Sequence, residues 1–261
     1  PLRKLVKAFW HLAIERIPAL VLDATVFPTE RLRREYAPER SSITVRNLPS
    51  IHDSTGGLLV APREREKDIE VVFVGTVSPP RLRFMMAVVE ELAKRRPRLR
   101  WLFLGVSAAS MRWLKDNYDP AFLERHIMAL PRVPLEEVLD YLARSRVGFN
   151  YHPMEKRFEV AIPMKVFEYM LMGVPVVSTA LPELSDLLNN GTDAVLVHSD
   201  NPRDYADAIY TLLSDPSRAA EIASAGRARV LCSLNWESGE EQALLRLYSR
   251  LARGGKRAAT S

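Results

Sequence analysis

The sequence predicts an α/β fold built on a doubly wound parallel sheet, and three observations carry that prediction. From about residue 68 onward, six short runs are predominantly apolar (69–74, 99–104, 127–130, 147–151, 174–178 and 194–197), as strands buried on both faces are. Amphipathic segments of helical period lie between successive runs, the order that places helices over both faces of a parallel sheet. Length and composition agree, because 261 residues with 47% hydrophobic and 26% charged side chains suit one large or two small globular domains and argue against disorder.

Taken in order, residues 2–17 place Leu2, Leu5, Val6, Phe9, Leu12 and Ala13 at helical spacing, with Arg3, Lys4 and Lys7 off that stripe. A β-type run at 24–27 follows, then a charged helix at 30–36 behind the capping candidate Thr29, then a second β-type run at 42–45. Asn47-Leu48-Pro49 opens a polar, glycine-bearing stretch to about Lys67 that reads as a linker. Beyond it, helices are expected at 81–96, 110–118, 135–143, 164–172 and 184–188, and three closing helices at 202–213, 216–230 and 236–251. The tail 254–261 is expected to be disordered.

Several classes of function are disfavoured. No apolar run reaches the roughly 20 residues of a membrane-spanning helix; the longest candidate, 17–27, carries Pro18 and Asp23. The single cysteine, Cys232, excludes an internal disulfide and a cysteine-based metal cluster, fits a reducing cytoplasm, and is expected to be a small buried hydrophobe. No Gly-x-Gly, no phosphate loop of the Gly-x4-Gly-Lys type and no Asp-x-Asp occurs. The five histidines (His11, His52, His126, His152, His198) form no helical pair, so no metal site is expected and each is read as structural or solvated. Of the net charge of +5, a surplus of four lies in residues 1–47, with nine Lys/Arg against five acids. No aromatic-interleaved basic stripe accompanies it, which disfavours nucleic acid; a solvated face or a peripheral contact with the inner membrane face, through the Leu5/Phe9/Leu12 stripe, remains.

In doubly wound sheets ligands sit at the carboxyl ends of the strands, where loops meet helix N-termini. That focuses attention on 75–83, 105–110, 131–136, 150–165 and 179–184. The densest segment runs from Ala161 to Ser178. Pro163 stands where a helix begins, Lys165 and Glu168 share one face at i,i+3, Gly173 ends the helix and Pro175 opens a buried strand. A cation and a carboxylate near a helix N-terminus suit a ligand with both phosphate and sugar hydroxyls. A plain surface salt bridge fits the spacing equally well.

The pattern Pro163-x-Lys165-x-x-Glu168-Tyr169-Met170-x-x-Gly173-x-Pro175-Val176-Val177 resembles the donor-site signature of retaining glycosyltransferases of the GT-B fold, in particular family 4, the glycosyl transferases group 1. Val72-Phe73-Val74-Gly75-Thr76 is similar to that family's first strand and glycine turn, and Trp101-Leu102-Phe103-Leu104-Gly105 to its second. The segment 181–188 with Asn190-Gly191, and Trp236 in the closing helices, extend the likeness, which covers roughly residues 20–250.

The resemblance implies a Rossmann-like donor-binding half of a glycosyltransferase. It divides the chain into 1–67, the end of an N-terminal domain and linker; 68–234, the donor-binding domain; and 235–261, the closing helix and tail. It places Glu168 on the nucleotide ribose, with Lys165, Gly75 and Thr76 bordering the diphosphate and Pro163, Met164 and Val166 at the start of the same helix. Arg81 or Arg83 is the second cation, and the turn 131–134 with Arg132 lies against the base. A first, sugar-proximal glutamate is expected eight positions before Glu168, where Val160 stands; Glu159 beside it is the catalytic candidate. The implied substrate is a nucleotide diphosphate sugar handled without a metal or other cofactor, and the acceptor is a saccharide or lipid-linked molecule. The partner is an acceptor-binding domain that these residues lack, so the chain alone is expected to bind donor without transferring sugar. Two alternatives are a non-catalytic nucleotide-sugar-binding subunit and a sugar-nucleotide epimerase on the same fold.

Overall fold

The computed structural model describes residues 22–36, 42–52 and 66–258, so the predicted helix at 2–17 with its Leu5/Phe9/Leu12 stripe, and most of the linker, lie outside the described residues. Backbone contacts divide the chain into two units, one formed by the residues up to Ser50 together with those from Asn235, the other by Ile51–Leu234.

In the first unit, β1 (Thr25–Phe27) and β2 (Ser42–Thr44) pair in parallel across α1 (Glu30–Tyr36). Thr29 caps α1 as expected, its Oγ1 accepting from Leu32 N–H at 3.3 Å. Glu30 accepts from Arg33 and from the Thr44 hydroxyl, contacts that hold its carboxyl down at about 2. The end of the chain completes this unit: a π-helical turn, Trp236–Glu240, leads into α10 (Glu241–Ala258). Trp236 N–H donates to the Pro49 carbonyl at 2.9 Å, and Arg46 N–H donates to Glu240 at 2.7 Å. The helix therefore continues into the tail that composition marks as disordered.

The second unit holds a six-stranded, wholly parallel sheet. Its strands are β3 (Ile69–Val74), β4 (Trp101–Leu104), β5 (Ile127–Leu130), β6 (Ser145–Asn150), β7 (Val176–Thr179) and β8 (Val195–Val197), in the spatial order β5-β4-β3-β6-β7-β8. The central runs fill both faces of the sheet: Val71, Val72 and Phe73 of β3 and Trp101, Leu102 and Phe103 of β4 are wholly buried. Between β3 and β6 the winding reverses direction, the place where doubly wound sheets open a crevice at their carboxyl edge.

Helices follow the strands. α2 (Pro79–Ala93) starts on two prolines behind Ser78 and buries Leu82, Met85, Met86, Val89 and Leu92, an i, i+3, i+4 stripe. After it come α3 (Ala108–Asn117), α4 (Pro120–His126), α5 (Leu135–Ala143), α6 (Met164–Leu171), α7 (Pro182–Leu187), α8 (Pro202–Ser214) and α9 (Pro216–Cys232). The seven residues of α4 are absent from the sequence expectation; Asp119 caps them, accepting from Phe122 N–H at 3.2 Å. Cys232 is exposed at the end of α9 rather than buried, because that helix turns its Ile222, Ala223, Gly226 and Val230 inward instead.

Candidate functional site

The crevice forms where β3 ends. Tyr169 of α6 crosses β6 at Gly148, where a Cβ would stand 2.5 Å from its ring, and its hydroxyl accepts from the Val74 N–H at 2.8 Å. The motif tyrosine thus ties α6 to the last residue of β3. Gly75 follows at φ +128°, a conformation that favours glycine. A Cβ there would lie 2.8 Å from Lys165 Nζ, so the glycine is also the space through which the lysine passes. Lys165 Nζ rests 4.1 Å from the centroid of the Phe73 ring, a cation–π contact.

Arg81 enters from the first turns of α2. Its Nη2 donates to the Tyr151 carbonyl just past β6, while its Nε is buried with no protein partner. Phe84, three residues on, stacks on the Tyr151 ring at 3.6 Å and so holds the same corner. Neither Arg81 nor Lys165 forms an ion pair with a described carboxylate. Burial, with Arg81 adding to it and Glu168 opposing, brings the Lys165 ammonium down to about 7. Burial pushes the Glu168 carboxyl above the usual carboxylate range, with Lys165 opposing. The two are half-buried and unbridged, so the surface salt bridge that their spacing permits does not form.

The other predicted residues separate into those at the crevice and those displaced from it. Thr76 is exposed beside Gly75, and its Oγ1 accepts from Arg132 Nη2 at 3.0 Å, which draws the 131–134 turn to the glycine turn. Pro163 is buried at the N-cap of α6 and Met164 is exposed beside it. Val166 is fully buried, its side chain in the core. Arg83 is exposed and lines a separate surface hollow with Glu90, Trp113 and Tyr118, so Arg81 alone of that pair faces the crevice. Glu159 is exposed after the 3-10 turn Lys156–Phe158, and Val160 is half-buried.

Sequence spacing misses His152. It follows β6, its N–H donates to Thr179 Oγ1 at 3.1 Å, and its ring lies 4.8 Å from that of Phe158. Burial and the two cations Arg81 and Lys165 push its imidazole down to about 3. The available signal was its place immediately after an apolar strand, inside a loop already marked as a carboxyl-edge segment.

A family model described as glycosyl transferase-like matches residues 83–244. The chain belongs to that family. Its curated relatives include TuaH of Bacillus subtilis (strain 168), provisionally named a teichuronic acid biosynthesis glycosyltransferase, 29% identical over 147 residues that make up 54% of this chain and 34% of that protein. Another is the D-inositol 3-phosphate glycosyltransferase of Thermomonospora curvata, 34% identical over 82 residues, 31% of this chain and 19% of that one. The chain therefore spans about a third or less of these relatives' length. Among solved structures it is similar to TarM, with a TM-score of 0.71 at 19% identity, covering 90% of this chain and 45% of TarM. It is also similar to the C-terminal domain of the group 1 glycosyl transferase LpcC from Francisella tularensis, TM-score 0.55 and 14% identity, covering 65% of this chain and 88% of that domain. The fold is that of the GT-B glycosyltransferases, and its sheet is Rossmann-like.

Proposed function

We propose that the sheet unit binds the donor of a glycosyltransferase, a nucleoside diphosphate sugar, in the crevice between β3 and β6. One observation carries the reading: two half-buried cations without ion-pair partners, Arg81 and Lys165, flank a positive-φ glycine turn where the winding reverses. A pair of buried like charges is unfavourable alone and calls for an anion. A diphosphate bridges them, with the Gly75–Thr76 turn and the start of α6 at Pro163, Met164 and the backbone of Val166 along its length. Glu168 accepts from the ribose hydroxyls, which stabilises its charged form. Arg132, on the turn tied to Thr76, lies toward the base.

The relatives TarM, GtfA and HepE are described in complex with UDP, so a uridine diphosphate sugar is the first donor to test. Sugar transfer then needs an acceptor held opposite, by a domain or subunit beyond these residues, and proceeds without a metal. Aligning two substrates is worth roughly 7–11 kcal/mol of barrier, which one wall of a cleft does not supply. Titration calorimetry with uridine, guanosine and adenosine diphosphates and their sugars tests the site, beside a turnover assay with radiolabelled donor. Binding without turnover is expected. Absence of binding to all three diphosphates refutes the site, and sustained transfer by residues 1–261 refutes the need for a separate acceptor wall.

Among described residues no helix is long and apolar enough to cross a membrane. A peripheral contact at the inner face of the cytoplasmic membrane remains part of the proposal, tested by flotation with anionic against neutral liposomes.

A further inference from the structure

His152 has fixed surroundings and an unused ring. Its backbone is held by Thr179 Oγ1, which also bonds the Tyr205 hydroxyl at 2.9 Å, and its ring packs on Phe158. None of these contacts uses a ring nitrogen, and Nδ1 is buried with no protein partner. His126 shows the ordinary arrangement for a structural histidine in this same chain: it is buried, and its Nδ1 lies 3.2 Å from the Leu99 carbonyl. An unpaired buried nitrogen is costly, and a bound group that supplies the missing partner removes that cost. A second orphan shares the corner, since Arg81 Nε is also buried and unpaired.

The groups whose charge reaches the imidazole are Arg81 from α2 and Lys165 from α6. As cations both are donors only, so neither then accepts from the ring. The anion that would bridge the two cations carries several acceptor oxygens and can complete the ring's hydrogen bond. Resting on the reading of this crevice as a nucleoside diphosphate site, we propose that His152 is a third contact of the diphosphate, donating from its ring to a phosphate oxygen between Arg81 and Lys165. The arriving negative charge offsets the two cations that hold the ring neutral, so binding and the hydrogen bond reinforce one another.

The test uses the full chain with two substitutions and a contrast of ligands. His152→Phe keeps a ring against Phe158 and deletes the nitrogens; His152→Asn places an amide near the position of Nδ1. Calorimetry is run with uridine, guanosine and adenosine diphosphates, with the parent nucleosides and with the corresponding diphosphate sugars, and thermal melts are recorded without ligand. For whichever diphosphate the wild type binds, His152→Phe should weaken it about tenfold, leave the nucleoside unchanged and melt no lower than wild type, since an orphan has been removed. His152→Asn should recover most of the affinity. Diphosphate binding within twofold of wild type in His152→Phe overturns the proposal, as does an equal loss for the nucleoside. A loss confined to the diphosphate sugar overturns it too, by moving the contact to the sugar. A His152→Phe chain that fails to fold or melts well below wild type makes the histidine structural, like His126. A wild type that binds none of the three diphosphates refutes the site reading itself, and the proposal with it.

Discussion

Replacing Tyr169 by phenylalanine deletes one oxygen and leaves the ring over Gly148. That oxygen accepts from Val74 N–H at 2.8 Å, and Tyr169 is fully buried. Without it the N–H at the end of β3 faces apolar surroundings, and an unsatisfied buried group costs about 1–3 kcal/mol. In a domain of this size about 1 kcal/mol moves the melting midpoint by roughly 2–4 °C, so a fall of roughly 2–12 °C is expected. No cavity term adds to it, because the ring that Gly148 makes room for is unchanged. Since Gly75 follows Val74 directly, diphosphate affinity should fall in the same variant while the overall fold, read by far-ultraviolet circular dichroism, is retained. Differential scanning calorimetry and titration calorimetry measure the two effects. A midpoint within about 1 °C of wild type would refute the reasoning, since it would mean that the hydroxyl contributes no net stabilisation at the strand end.

Four further outcomes follow from the crevice. Glu168→Ala should lose at least tenfold in donor affinity, as charge-assisted bonds to hydroxyls are worth about 1.5–3 kcal/mol each, with a melting midpoint close to wild type; unchanged affinity by calorimetry reduces Glu168 to a bystander. Lys165→Met should weaken a nucleoside diphosphate far more than the nucleoside, and the difference should shrink in high salt; equal losses mean that the lysine only supports α6. Gly75→Ala combines a strained φ of +128° with a Cβ 2.8 Å from Lys165 Nζ, so it should lower both the melting midpoint and diphosphate affinity, and a variant that binds as wild type contradicts the packing described. The last concerns pH. Lys165 stands near 7 when folded and about 10.4 when unfolded, so between those values the unfolded chain holds the extra proton and unliganded stability rises with pH. Below about 7 the full penalty of the buried charge is present. Melts of wild type against Lys165→Met from pH 6 to 10 should converge as pH rises; parallel curves would show that the lysine is not desolvated.

Much of this was legible in the sequence because the central strands β3, β4, β6 and β7 are largely buried on both faces and so read as mainly apolar runs. The Lys165–Glu168 pair and the glycine turn at 75–76 were legible for a related reason, since local spacing alone puts each on the carboxyl edge. What spacing does not carry is which side of a helix faces the crevice. Arg81 and Arg83 differ by two positions on α2, and only burial of Leu82 and Met85 decides that Arg81 turns inward. His152 was not legible as a site residue, because its neighbours Arg81 and Lys165 come from elements before and after it. The helix α4 escaped because seven residues hold too few apolar positions for a period to show. The buried cysteine expected at 232 failed because α9 turns Ile222, Ala223, Gly226 and Val230 inward and position 232 falls off that face.

One unit of this protein is contiguous in sequence and the other is assembled from the segments on either side of it. Residues 51–234 contain every strand and helix of the six-stranded sheet, whereas the first unit waits for Trp236 to reach Pro49 and for Glu240 to reach Arg46. During synthesis, then, the sheet unit has all its partners before residues 235–258 are made, while the β1–α1–β2 segment, made earlier, is closed only after them. Birth order and folding order are inverted for that segment.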